Sequence, residues 1–130
     1  MTQNEVSLKL LVSGSRHLKN YEFFSKCMDA VCTKNTSLVF GDCPTGADAM
    51  ALKYAKANKY QYAMYVADWK KYGKAAGPIR NRTMVDIEKP TRGIFFRAKD
   101  SKGTVDCLNY AKKKIKETEI HVVDIDALHE

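Results

Sequence analysis

Long hydrophobic runs are missing from this sequence of 130 residues. No stretch approaches the roughly 20 apolar residues that a bilayer span requires, so no membrane partner is expected. Cysteine is sparse and unpatterned. Cys27, Cys32, Cys43 and Cys107 show no CxxC spacing, which argues against a disulfide framework and for free thiols in a reducing compartment. Histidine is sparser still: His17, His121 and His129 stand at no ligand spacing from a cysteine. A zinc site is therefore not expected, nor any other metal or cofactor. Met1-Thr2-Gln3-Asn4-Glu5 lacks the charged-then-apolar layout of a secretory leader, and the expected location is cytoplasmic. Linkers, internal repeats and low-complexity tracts are also missing. That pattern and the length fit one domain over residues 1–130.

What is present is an ordinary globular balance, with 45% hydrophobic and 28% charged residues, which speaks against disorder. The formal net charge is +7 and favours anionic partners: phosphates, nucleotides or nucleic acid. Part of that charge lies in Lys112-Lys113-Lys114 and Lys116, read as the solvated face of a helix.

The chain repeats a strand-then-helix order. Leu8–Val12 is a short apolar run ended by Ser13-Gly14-Ser15, the pattern of a buried strand entering a loop. Asn20 caps a helix expected over 21–31, with Phe24, Cys27, Met28 and Val31 on its apolar face. Ser37–Phe40 is a second strand. Thr45-Gly46-Ala47-Asp48 has the shape of a capping box opening a helix over 46–58. A third strand covers 61–66. Asp68–Gly77 is expected as a loop, and Pro78 suits the first turn of a helix reaching about Asp86. Gly93–Phe96 is a fourth strand. A helix over 104–117 buries Leu108, Ala111 and Ile115, and Ile120–Val123 is the last strand.

Short buried strands alternating with helices imply an α/β fold: a Rossmann-like parallel sheet of about five strands, with helices on both faces. Ligands bind such sheets beyond the carboxyl ends of the strands, where strand order reverses. That rule selects the loops at 13–17, 41–47, 68–81 and 97–104.

These loops carry phosphate chemistry. Ser13, Gly14, Ser15 and Arg16 offer close backbone approach, hydroxyl donors and a charged fork. Gly41, Gly46 and Ala47 open the second helix, whose free N–H groups suit an anion. Asp48 either accepts a bond from a ribose hydroxyl, orients an arginine, or only completes the capping box. In the third loop, Gly77 and Pro78 leave backbone uncovered before Arg80 and Asn81, and Trp69 offers a ring on which a base can stack. Gly103 and Thr104 present N–H and hydroxyl donors, or serve as a plain helix cap. A catalytic role, if there is one, falls first to Asp48 or Arg80.

Together, Leu11–Arg16, Gly41 with Gly46-Ala47-Asp48, Ala67-Asp68-Trp69 and Gly73–Met84 resemble the YspA-type, cpYpsA-related branch of the SLOG superfamily. The resemblance runs over about 8–125. It implies a Rossmann-like domain that binds nucleotides or their derivatives, and a homo-oligomer as partner arrangement. The superfamily includes the Lonely Guy phosphoribohydrolases, which cleave the N-glycosidic bond of nucleoside monophosphates, and DprA, which binds single-stranded DNA. The hydrolases carry an arginine-lysine pair, then methionine two residues later. This chain has Arg80-Asn81-Arg82-Thr83-Met84 at the like position, with Asn81 where the lysine would stand. Their Pro-Gly-Gly-x-Gly-Thr-x-x-Glu motif resembles Lys99–Cys107, where Gly103-Thr104 survive and Cys107 stands at the glutamate. Glycoside cleavage needs a carboxylate to stabilise an oxocarbenium-like state or to activate water, and cysteine does not supply one.

The leading expectation is therefore binding of a nucleotide-derived ligand, ADP-ribose-like or cyclic, by a sensor or sequestering protein. A nucleoside 5′-phosphate N-glycosidase with a relocated carboxylate is the alternative. Single-stranded nucleic-acid binding is a third reading, encouraged by the charge but lacking interleaved aromatic and basic residues.

Overall fold

Leu10, Leu11 and Val12 are all fully buried. A strand apolar on both sides belongs in the middle of a sheet covered on both faces, and there the computed structural model, which describes residues 7–126, puts it. β1 (Leu8–Gly14) pairs in parallel with β2 (Thr36–Gly41) on one side and β4 (Arg92–Arg97) on the other. β3 (Gln61–Tyr65) and β5 (Ile120–Asp124) form the edges. The order of the five strands is β3-β2-β1-β4-β5, with every pairing parallel. This is the expected Rossmann-like α/β arrangement.

Alternation along the strands divides the core in two. Leu10, Val12, Leu38, Phe40, Ile94 and Phe96 face α1 (Tyr21–Val31) and α2 (Gly46–Ala57). Leu11, Val39 and Phe95 face α4 (Ala76–Glu88) and α5 (Lys102–Ala111), where Met84, Val85, Cys107 and Leu108 meet them. Each such apolar side chain contributes about 1.5–3 kcal/mol on full burial. Asn20 caps α1 as expected, its Oδ1 accepting the Phe23 N–H at 3.0 Å.

Three local expectations are corrected. Residues 68–77 are mostly helical rather than a loop. Asp68 accepts the Lys71 N–H at 3.1 Å and starts the short helix α3 (Trp69–Tyr72), a 3-10 turn follows over Gly73–Ala75, and α4 is already under way at Ala76. Pro78 still lies in the first turn of α4, where it costs no hydrogen bond. The last long helix begins at Lys102 and stops at Ala111, six residues short. Tight bonds from Lys113 N–H to Tyr110 O and from Lys114 N–H to Ala111 O curl the chain, which carries Ile115 into the core. The lysines at 112–114 and 116 are exposed as expected, but on this turn rather than on a helix face. Finally, the capping box does not form: Thr45 makes no side-chain cap bond. Gly46 takes φ +72°, an N–H of the first turn of α2, that of Ala47, bonds Ser15 O at 3.1 Å, and Asp48 turns elsewhere.

The chain runs outward from β1 through β2 to β3, then returns to place β4 on the other side of β1. The carboxyl ends of β1 and β4 therefore face loops that depart in opposite directions, which opens a crevice between them. Among the described residues, no helix is long and apolar enough to cross a membrane.

Candidate ligand-binding crevice

The crevice has a volume of about 960 Å³ and draws its walls from all four loops that the sequence selects. Ser13, Gly14, Ser15 and Arg16 line it after β1, Gly41 and Asp48 line it around the start of α2, and Gly103 and Thr104 line it in α5. Trp69, Gly77, Pro78, Arg80 and Asn81 form the wall after β3. Gly46 and Ala47 do not reach it. They are buried behind the β1 turn, where a Cβ on Gly46 would overlap the Ser15 carbonyl and the Arg16 backbone. The N-terminus of α2 is thus occupied by the protein's own Ser15 carbonyl rather than open to an anion.

The turn after β1 is held rigidly. Ser15 is buried, its N–H bonds Phe96 O at 2.9 Å, and its Oγ accepts the His17 N–H at 3.0 Å. Arg16 is left exposed on this fixed turn and forms no ion pair among the described residues.

Arg80 is differently placed. Its Nη1 lies 2.9 Å from Asp42 Oδ1 and its Nε donates to Asn81 Oδ1 at 2.9 Å. Asp42 also accepts the Ala67 N–H at 3.3 Å, so one carboxylate ties the β2–α2 loop to the end of β3 and to α4. The guanidinium passes so close over Gly41 that a Cβ there would collide with it. Asp48 sits alongside, accepting the Cys43 N–H at 3.1 Å. Burial pushes the Asp48 carboxyl above its usual range, opposed by the Cys43 N–H and the Arg80 charge. Asp42, Arg80, Asn81 and Asp48 make a buttress whose charges largely satisfy one another.

The opposite wall is less satisfied. The first N–H groups of a helix have no acceptor within it, and a cap normally supplies one. Here Ser101, the N-cap of α5, makes no such bond. Its Oγ turns back to Ala98 N and O, both at 2.8 Å. Lys102 N–H bonds Asp100 O at 3.0 Å, so Gly103 and Thr104 are the residues that begin the helix on the crevice with N–H groups uncapped by Ser101. One turn on, Asp106 Oδ1 receives Arg82 Nη2 at 3.3 Å, while its Oδ2 is buried without a hydrogen-bond partner. Cys107 is fully buried, and that burial pushes its thiol up to about 11. It stays protonated at neutral pH, with neither the charge nor the exposure of a catalytic carboxylate. Trp69 is 56% exposed and its ring edge passes over Gly77.

Several lining residues are absent from the sequence-derived set. Asp42, Lys74, Lys102 and Asp106 all face the crevice. Asp42 follows Gly41 directly at a strand end, a position that marks it in the sequence. Lys102 is concealed by the expectation that α5 starts later. Lys74 and Lys102, like Arg16, form no ion pair among the described residues. There is also no group of three His, Cys, Asp or Glu residues placed to hold a metal among them.

A model of the YspA, cpYpsA-related SLOG family matches residues 8–72, half of the chain, from the start of β1 through α3. No curated protein and no solved structure matches the chain.

Proposed function

The chain belongs to the YspA, cpYpsA-related SLOG family, and from that premise we propose that the crevice binds a phosphate-bearing nucleotide derivative, ADP-ribose-like or cyclic, for sensing or sequestration. Membership points to a nucleotide-related function. The finer reading rests above all on the uncapped start of α5, which meets Arg16 and Lys102 at the switch point of the sheet.

A helix N-terminus with free N–H groups and a macrodipole favours an anion, and two unpaired cations beside it strengthen the preference. Phosphate is held by the Gly103 and Thr104 N–H groups, with Arg16 and Lys102 as charge partners. Trp69 supplies a stacking face for the base. Arg80, braced by Asp42 and Asn81, shapes the middle of the crevice. Asp48, already engaged by Cys43, serves that brace. Gly46 and Ala47 hold the β1 turn in place. The volume suits a mononucleotide or a somewhat larger derivative, since ligand pockets commonly run about 300–1,000 Å³.

Titration calorimetry with ADP-ribose, cyclic nucleotides, AMP, ribose 5-phosphate and inorganic phosphate tests this reading, with chromatography of each mixture for free base. A nucleotide should bind intact, and Arg16→Ala or Lys102→Ala should each weaken it about tenfold or more, as loss of a charge-assisted bond does. Steady release of free base would replace the binding reading with a hydrolytic one. Tight, strongly salt-dependent binding to oligonucleotides without mononucleotide binding would overturn both.

A further inference from the structure

Three walls of the crevice are tied down through side chains. Ser15 Oγ accepts the His17 N–H at 3.0 Å, Asp42 holds Arg80 and the Ala67 N–H, and Ser101 Oγ bonds Ala98. The wall after β3 is built otherwise. Eight successive residues, 68–75, are exposed, strung between the buried Ala67 and Ala76. They include two large aromatic side chains, Trp69 at 56% exposure and Tyr72 at 41%. Trp69 and Lys74 of this segment nevertheless line the crevice.

The hydrogen bonds of the segment close on itself. Asp68 Oδ1 accepts the Lys71 N–H at 3.1 Å and Asp68 O the Tyr72 N–H at 3.0 Å. Trp69 O accepts the Gly73 N–H, and Gly73 O the Ala76 N–H. Among the described residues, no side chain of 68–75 forms a hydrogen bond or ion pair outside the segment. It is thus a small self-contained unit that few contacts hold to the body, the kind of element that opens at low cost. Gly73 lies at the joint between α3 and the 3-10 turn, with φ +55°, and a Cβ there would meet nothing within 4 Å. Crowding does not require a glycine at this joint; backbone freedom does, and a few such positions absorb the rotation when a lid closes.

Charge holds the segment off the empty crevice. Lys74 on it, and Arg16 and Lys102 on the facing walls, form no ion pair among the described residues and line the same space, so they repel one another as they approach. An anion between them reverses that sign. We propose that residues 68–75 are a lid that closes over a nucleotide held in the crevice, with Trp69 covering the base and Lys74 meeting the phosphate. The lid rests on the binding reading above and adds a requirement to it. A ligand that closes it brings both a phosphate, which cancels the repulsion, and a base, against which the exposed ring is buried.

Trp69 is the single tryptophan of the chain, so its fluorescence reports the lid directly. Stopped-flow mixing of the full chain with AMP or ADP-ribose should give an observed rate that rises and then levels off with ligand concentration, because closure follows binding. Hydrogen exchange of the amides of 68–75 should slow about tenfold or more with either nucleotide. Adenosine and ribose 5-phosphate, each lacking one of the two features, should leave that exchange unchanged. Gly73→Ala should lower the plateau rate about threefold or more while leaving the initial slope as it is. A rate linear in concentration throughout, or unprotected amides at 68–75, while calorimetry shows AMP or ADP-ribose bound, overturns the lid and leaves the binding reading standing. Equal protection by ribose 5-phosphate likewise overturns it. Absence of binding by either nucleotide overturns both.

Discussion

Gly46 has two reasons to be glycine. Its backbone is in the left-handed region, φ +72°, and its missing Cβ leaves room for the Ser15 carbonyl. Left-handed backbone costs an ordinary residue about 1–2 kcal/mol, and the overlap adds to that. Gly46→Ala should destabilise by about 2–4 kcal/mol, lowering the thermal midpoint by roughly 10 °C in calorimetry. Glu88 gives a second test at this scale. It joins Lys9 at 3.0 Å and accepts the Tyr65 phenol at 2.5 Å. The Tyr65 and Lys9 bonds hold its carboxyl below its usual range, and the same contact pushes the phenol up to about 12. A lowered carboxyl contributes stability above its unfolded pKa and loses it as pH falls through the folded value. Glu88→Gln should therefore cost about 1 kcal/mol at pH 7. The difference from the parent should vanish as both are titrated below the ordinary carboxylate range, which thermal melts across pH will show.

Among the elements, α4 links the crevice, the core and β1. Its start forms a wall of the crevice, its middle buries Met84 and Val85, and its end reaches β1 through Glu88. It stops at Lys89, which adopts φ 49° and ψ 57° ahead of Pro90. Glycine is the residue that takes this C-cap conformation without penalty. Lys89→Gly should raise stability by about 1 kcal/mol, seen as a higher urea midpoint with an unchanged slope. An unaltered midpoint would mean that the lysine charge at the helix terminus offsets the strain. α5 shows the opposite economy: its cap residue serves the preceding loop, and its first turn stays open to the crevice.

For the whole molecule, the proposed binding joins both sides of the switch point, so ligand should stabilise the fold as a unit. At a free concentration 100 times the dissociation constant, the gain is about 2.7 kcal/mol. Differential scanning fluorimetry should show a midpoint that climbs with ligand concentration. The rise should shrink as salt increases, because Arg16, Lys74 and Lys102 are exposed to screening. A nucleotide-induced rise insensitive to salt would relocate recognition from these cations to Trp69 and the backbone.

Much of this protein was legible in the chain alone. Apolar runs such as Leu8–Val12, set between helical stretches, determine a parallel α/β sheet, because only strands buried on both faces need such continuity. The four loops at its carboxyl edge follow from the same pattern, and each of them lines the crevice. The local hydrogen-bond choices were not legible, because they depend on which groups the fold brings close across long separations. Ser15 takes the N–H of Ala47, so Asp48 braces Cys43 instead of closing a capping box. Arg80 meets Asp42 across 38 residues, so this crevice arginine is braced against the loop after β2. Residue types and their order along the chain determined which loops line the crevice. Tertiary contacts decided which of its charges are paired, because a charge is available only when nothing nearer has already paired with it.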